Sequence, residues 1–184
     1  QLAKEILKIR RSIDAPGQQQ LDCSQYDSVA AYCHAKKYDV IIHAGAVTNK
    51  FDQSVDEGYI LSNIIGTANM VLWAMRNDVR LVYISSDYVY PSERGGYTED
   101  SVLLPVNRYA ASKLGGEMAV QIYHNSLIIR TSFYSSLNFS EGCTDQFTSR
   151  LPIQKAAEAI LRLSCRRELR GVINLGTPRK RSLE

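Results

Sequence analysis

The run Leu81-Val82-Tyr83-Ile84 has no polar break, and it stops abruptly at Ser85-Ser86-Asp87. A strand with one wet face alternates apolar and polar residues. An unbroken β-branched run therefore reads as a strand covered on both faces, the kind found in parallel sheets. The rest of the chain must then supply two covering layers of helix.

Further strands of this kind are expected at Tyr38 to His43, at Leu127-Ile128-Ile129 and at Gly171 to Gly176. The stretches between them carry helical periodicity. Residues 1–10 place Leu2, Ile6, Leu7 and Ile9 at near-helical spacing, and Ser24 to Lys37 reads as a turn and a helix. Asp56 to Met75 predicts one helix with Ile60, Ile64, Thr67, Met70, Val71 and Ala74 facing inward. Another helix is expected from Tyr109 through Glu117 to Ile122, and a last one over Leu151 to Leu163.

In an open parallel sheet, ligands bind beyond the carboxyl ends of the strands. Ser86 stands at such an end. Tyr109 and Lys113 lie four residues apart at the start of a helical pattern, on one face and one turn apart. A phenol with a pKa near 10 is a poor proton donor or acceptor at neutral pH, and a neighbouring cation lowers that pKa. A hydroxyl such as Ser86 can hold a substrate oxygen against the same phenol. The three together suit proton movement at a carbonyl or an alcohol. Alone, Tyr-x-x-x-Lys more often marks a half-buried tyrosine and a solvated lysine. The strand ending in Ser85-Ser86-Asp87 favours the chemical reading.

The surrounding segments share a pattern. Ser85-Ser86-Asp87-Tyr88-Val89-Tyr90, then Gly95-Gly96-Tyr97-Thr98-Glu99, then Tyr109 to Lys113 follow one another in register. This series resembles the extended short-chain dehydrogenase/reductase superfamily and, within it, the dTDP-4-dehydrorhamnose reductases. That resemblance implies a Rossmann-like, doubly wound α/β fold with a parallel sheet, and a small C-terminal substrate-binding portion. It also implies an NADPH- or NADH-dependent reduction of a nucleotide-linked 4-keto-6-deoxy sugar, with Ser86, Tyr109 and Lys113 catalytic. Tyr109 would supply a proton, while Lys113 keeps it acidic and contacts the cofactor ribose.

By the same resemblance, Ala44, Gly45 and Ala46 form the turn under the cofactor, and Ser85, Arg130, Thr131 and Ser132 lie near it. Asp87, Tyr88, Asp145 and Gln146 frame the substrate, and Asn63 supports the site. Asp22 matches an aspartate that approaches the adenine in that family, although a helix-capping role is equally open. Sugar-nucleotide dehydratases carry Asp-Glu after the hydroxyl residue. Here Asp87-Tyr88 follows Ser86, which disfavours elimination chemistry. An epimerase-reductase using Cys143 or His124 is the runner-up, and a non-catalytic regulatory subunit is the other alternative.

A glycine-rich loop after a first strand would be expected ahead of the helix at residues 1–10. Neither is found, and the expectation is that the recorded sequence omits them. The division expected is 1–132 for cofactor binding and 133–184 for substrate. With 184 residues, the chain is long enough for a core. A net charge of +3, with the basic residues dispersed, argues against a nucleic-acid partner, and Arg166-Arg167 and Arg179-Lys180-Arg181 read as solvated surface. The four cysteines show no metal-ligand spacing, so no metal is expected and a reducing compartment is. No apolar run approaches a membrane span, and no signal peptide is visible. The expectation is a cytoplasmic protein, possibly a homodimer.

Overall fold

The computed structural model describes residues 1–48, 56–93, 95–135, 143–177 and 181–183, and for 143–148 and 181–183 the backbone alone. Its centre is a parallel sheet of four strands, β1 (Val40–His43), β2 (Arg80–Ser86), β3 (Ser126–Thr131) and β7 (Gly171–Leu175), in the spatial order β1-β2-β3-β7. The register sets Leu81 beside Ser126 and Ser86 beside Thr131, and Arg130 in turn beside Asn174. Every residue of β2 and β3 is buried, as an unbroken apolar run requires.

Two helical layers cover the sheet. On one face α1 (Leu2–Ile9) and α6 (Ile153–Cys165) press Leu2, Ile6, Ile153, Ala156, Ala157 and Ile160 onto Val82, Ile84, Leu127 and Ile129. On the other, α4 (Gly66–Arg76) and α5 (Arg108–Gln121) pack Val71, Ala74 and Val120 on Leu81, Tyr83 and Ile128. α2 (Tyr26–His34) lies outside α4, with Val29 and Cys33 against Met70 and Trp73. The fold is thus mixed α/β with a parallel sheet between helices.

After β3 the chain leaves the sheet. β4 (Phe133–Tyr134) pairs with β6 (Leu151–Pro152), and β5 (Cys143–Thr148) runs antiparallel to β8 (Arg181–Leu183). It then returns through α6 and β7, so the stretch 133–184 shares its sheet with 1–132. Among the described residues, no helix is long and apolar enough to cross a membrane.

One helix differs from its predicted form. Asp56–Arg76 begins with α3 (Asp56–Gly58) and passes through a π-helical segment, Tyr59–Ile65, before continuing as α4. The wider π turn moves the buried face. Tyr59 and Asn63 point inward, whereas Ile60, expected inside, is 51% exposed. A strict 3.6-residue period cannot anticipate that shift, but downstream Thr67, Met70, Val71 and Ala74 are buried as expected.

Candidate active site

Three segments meet beyond the carboxyl ends of β1, β2 and β3. β2 ends at Ser86, whose Oγ caps the short 3-10 turn Asp87–Val89 by accepting from the Tyr88 amide at 3.2 Å. Asn107 caps α5 in the same way, accepting from the Ala110 amide at 2.8 Å, so the helix starts just before Tyr109. Tyr109 reaches back to Ser86 in a side-chain hydrogen bond. Lys113, one turn on, is 2% exposed. Ser86 and Tyr109 are therefore brought together, with Lys113 buried one turn along the same helix.

Their electrostatics differ from the expectation that Lys113 lowers the Tyr109 pKa. Burial pushes the phenol up to about 12, against the hydrogen bond from Ser86, and Asp87, Tyr88 and Tyr59 add to the rise. Burial likewise depresses Lys113 to about 7, against the pull of Glu117 one turn further along. The ammonium sits 4.1 Å from the centroid of the Tyr83 ring. In this state it is placed over the sheet.

Asn63 joins this corner to the turn after β1. Its Oδ1 accepts from the Val47 amide at 2.8 Å, and its Nδ2 donates to the Val47 carbonyl at 3.0 Å and to Ser112 Oγ at 2.8 Å. Ser112 Oγ donates in turn to the Tyr109 carbonyl at 2.7 Å. Close approach of α5 depends on Gly116, where a Cβ would stand 2.5 Å from the Asn63 carbonyl oxygen and 2.7 Å from Tyr83 Oη. His43, at the end of β1, packs on Tyr83 with ring centroids 5.8 Å apart and bonds Thr67 Oγ1 through Nε2 at 3.1 Å. It is a packed strand-end histidine, and burial holds it neutral, with a pKa lowered to about 3.

The remaining expected residues fall into two groups. Ala44 to Ala46 form the turn after β1, with Gly45 exposed and no atom nearer than the His43 ring at 3.6 Å from a Cβ placed there. Ser132 Oγ donates to Asp87 Oδ2 at 2.5 Å. Asp87 Oδ1 and Thr131 Oγ1 are buried and without a hydrogen-bond partner among the described residues. Unpartnered buried oxygens at the ends of β2 and β3 mark where a ligand's polar groups would be accommodated. The Tyr88 hydroxyl accepts from Arg150, a residue with no motif to announce it.

Ser85 and Arg130 sit elsewhere. They share a row across the sheet with Asn174, on the α5 side. Ser85 Oγ donates to Glu117 at 2.7 Å, and Arg130 forms a buried ion pair with Glu117. Arg130 also donates to Tyr90 Oη at 2.6 Å, which bonds Asn174 Oδ1 at 2.8 Å. Sequence reasoning missed Glu117, although its i+4 spacing from Lys113 puts it on the same inner face. Asp22 Oδ1 accepts from the Ser24 amide and hydroxyl, at 3.0 and 2.8 Å, in the turn before α2, whose cap position is Gln25. Asp145, Gln146 and Cys143 have side chains outside the described residues. His124 precedes β3 at the amino ends of the strands, the side away from Ser86. Among the described residues, no cluster of His, Cys, Asp and Glu is placed to hold a metal ion.

The family model for the RmlD substrate binding domain matches residues 1–151. The dTDP-4-dehydrorhamnose reductase of Aggregatibacter actinomycetemcomitans is 30% identical over 118 residues, covering 62% of this chain and 40% of that protein. The methionine adenosyltransferase 2 subunit beta of Xenopus tropicalis is 37% identical over 100 residues, 54% of this chain and 29% of that one. The crystal structure of dTDP-4-dehydrorhamnose reductase from Bacillus anthracis str. Ames, in complex with NADP, superimposes with a TM-score of 0.85. Its identity is 24%, over 99% of this chain and 73% of that one. The chain spans about a third of the length of the curated relatives that it matches first.

Proposed function

Because the chain belongs to the RmlD substrate binding domain family, we propose that it acts in an NADPH- or NADH-dependent reductase of a nucleotide-linked 4-keto-6-deoxy sugar. The observation that carries this reading is the Tyr109 phenol bonded to Ser86, with Lys113 buried one turn away.

The residues present fit a nicotinamide cofactor in the character of their donors and in the unpartnered Thr131 Oγ1 and Asp87 Oδ1. Ala44, Gly45 and Ala46 would lie under it, with Asp22 beyond them and Thr131, Ser132 and Lys113 at its reactive end. When bound, the reduced nicotinamide supplies a hydride. Tyr109 holds the proton that the keto oxygen receives, and its high pKa keeps that proton in place until charge develops on the oxygen. Ser86 Oγ orients the phenol and donates to the developing oxyanion. Asp87 and Tyr88, with Asp145 and Gln146, would hold the sugar nucleotide. Ser85 and Arg130 act from behind through Glu117, by fixing α5 against the sheet. Asn63 positions the start of α5 through Ser112.

We also propose that the chain works as a cytoplasmic homodimer. Residues 59–75 contain no charged residue, and the two in 109–122, Lys113 and Glu117, are buried. The outward side of these neighbouring helices instead exposes Ile60, Leu61, Ile65, Leu72, Met118 and Ile122. A strictly monomeric species in sedimentation would remove that part.

The test of the reductase is loss of absorbance at the reduced-nicotinamide band with a dTDP- or UDP-4-keto-6-deoxy sugar. Tyr109→Phe should lower kcat by about 100-fold or more. Likeness to the methionine adenosyltransferase subunit favours a second reading, a regulatory subunit without turnover. Measurable cofactor binding with no oxidation of it by any such sugar would support that alternative.

A further inference from the structure

We propose that Tyr83 is a positioning residue for Lys113: its ring face holds the ammonium, and its hydroxyl holds the same residue's main chain. Tyr83 lies in the middle of β2 and is fully buried. The Lys113 Nζ stands 4.1 Å from its ring centroid, well inside the range of a cation–π contact. Tyr83 Oη donates to the Lys113 carbonyl at 3.1 Å. One side chain thus grips both ends of one lysine.

The neighbours are arranged to permit this. Gly116 leaves room for the hydroxyl, since a Cβ there would stand 2.7 Å from Tyr83 Oη. His43 packs on the ring and fixes its plane. The groups facing Lys113 are Glu117 on its own helix, Tyr83 on β2 and His43 at the end of β1, with Tyr109 one turn before it. The π-helical segment holds no charged residue, and the one in α4, Arg76, packs on the Tyr26 ring. Glu117 is already paired with Arg130. The ring therefore adds to the pull of Glu117, which is shared with Arg130, in holding the cation against the burial that depresses it. Without it, Lys113 would lose its proton more readily and be free to take other rotamers.

This deepens the reductase reading and rests on it for its kinetic consequence alone. The direct test needs neither cofactor nor substrate. The protein is labelled with 13Cε-lysine, Lys113 is assigned with Lys113→Met, and its titration is followed by NMR. At position 83, phenylalanine is compared with mono-, di- and trifluorophenylalanine, which keep the ring's shape while draining charge from its face. The Lys113 midpoint should fall stepwise, by about one pH unit across the series. An unchanged midpoint across the series overturns the proposal. Tyr83→Leu, if it folds, should shift it as far as the trifluoro variant. If turnover is established, the pH profile of kcat/KM should move with that midpoint. A profile that stays still while the midpoint moves would disconnect Tyr83 from catalysis.

Discussion

Asn63 and Ser112 stand 49 positions apart in the chain, and a 2.8 Å hydrogen bond joins them inside the protein. Through it, the turn after β1 and the first turn of α5 are held at a fixed separation. Asn63→Ala would leave the Val47 amide and carbonyl without their partner. The expected loss is about 3 kcal/mol of stability, read in urea unfolding. Asn63→Asp keeps the acceptor for the Val47 amide but puts a second acceptor against the Val47 carbonyl, so it should recover less than half. Full recovery by Asp would contradict the bonding pattern described.

The Glu117–Arg130 pair is buried on both sides, with side chains 0% and 2% exposed. Glu117→Gln leaves the Arg130 charge without its counterion and should cost about 3–5 kcal/mol. The double change Glu117→Leu with Arg130→Met should cost less than Glu117→Gln alone, because both charges leave together. Thermal melts of the wild type, Glu117→Gln, the single changes Glu117→Leu and Arg130→Met, and the double change check this. Additive losses would show that the pair is not coupled.

Stability should depend on pH through His43 and Lys113. The His43 pKa is lowered to about 3 in the folded chain, while in the unfolded chain it is near 6.5. Between those values the unfolded state binds the extra proton, so stability falls as pH drops below 6.5, by about 1.4 kcal/mol per unit. Lys113 is lowered to about 7 from 10.5, so between them stability rises with pH. His43→Gln should flatten the acid limb, and Lys113→Met should flatten the rise from 7 towards 10. Retention of both slopes would locate the titration in other groups.

Two glycines should respond unequally to the same substitution. Gly116→Ala forces a methyl group against the Asn63 carbonyl oxygen, at 2.5 Å, and against Tyr83 Oη. The helix must back away, at about 1–3 kcal/mol. Gly45→Ala meets only the His43 ring at 3.6 Å and should leave stability within about 0.5 kcal/mol. Equal melting temperatures for the two variants would contradict this packing.

The central strands were legible because their apolar runs are continuous, and a parallel sheet is the one setting that covers both faces of Leu81–Ile84 and Leu127–Ile129. Ser86, Tyr109 and Lys113 stand out in the sequence because one lies at a strand end and two share a helical face, and the structure joins Tyr109 to Ser86. The support around them was not. Glu117 meets Ser85 and Arg130 only through the register of β2 with β3, and long-range register leaves no local trace in sequence. Tyr83 reads as one more apolar residue of its strand until the helix above it is in place. Arg150 meets the Tyr88 hydroxyl across 62 positions, with nothing near either residue to suggest it.

The π-helical segment Tyr59–Ile65 acts as a phase shifter. Carrying one residue more than an α-helix of the same rise, it turns its own leading residues by about 100° relative to α4. One rod then addresses two directions: Tyr59 and Asn63 look toward α5 and its first turn, while Met70, Trp73 and Ala74 look into the core. Deleting a single residue there would return the rod to one phase, and it could then serve the core or α5, but not both.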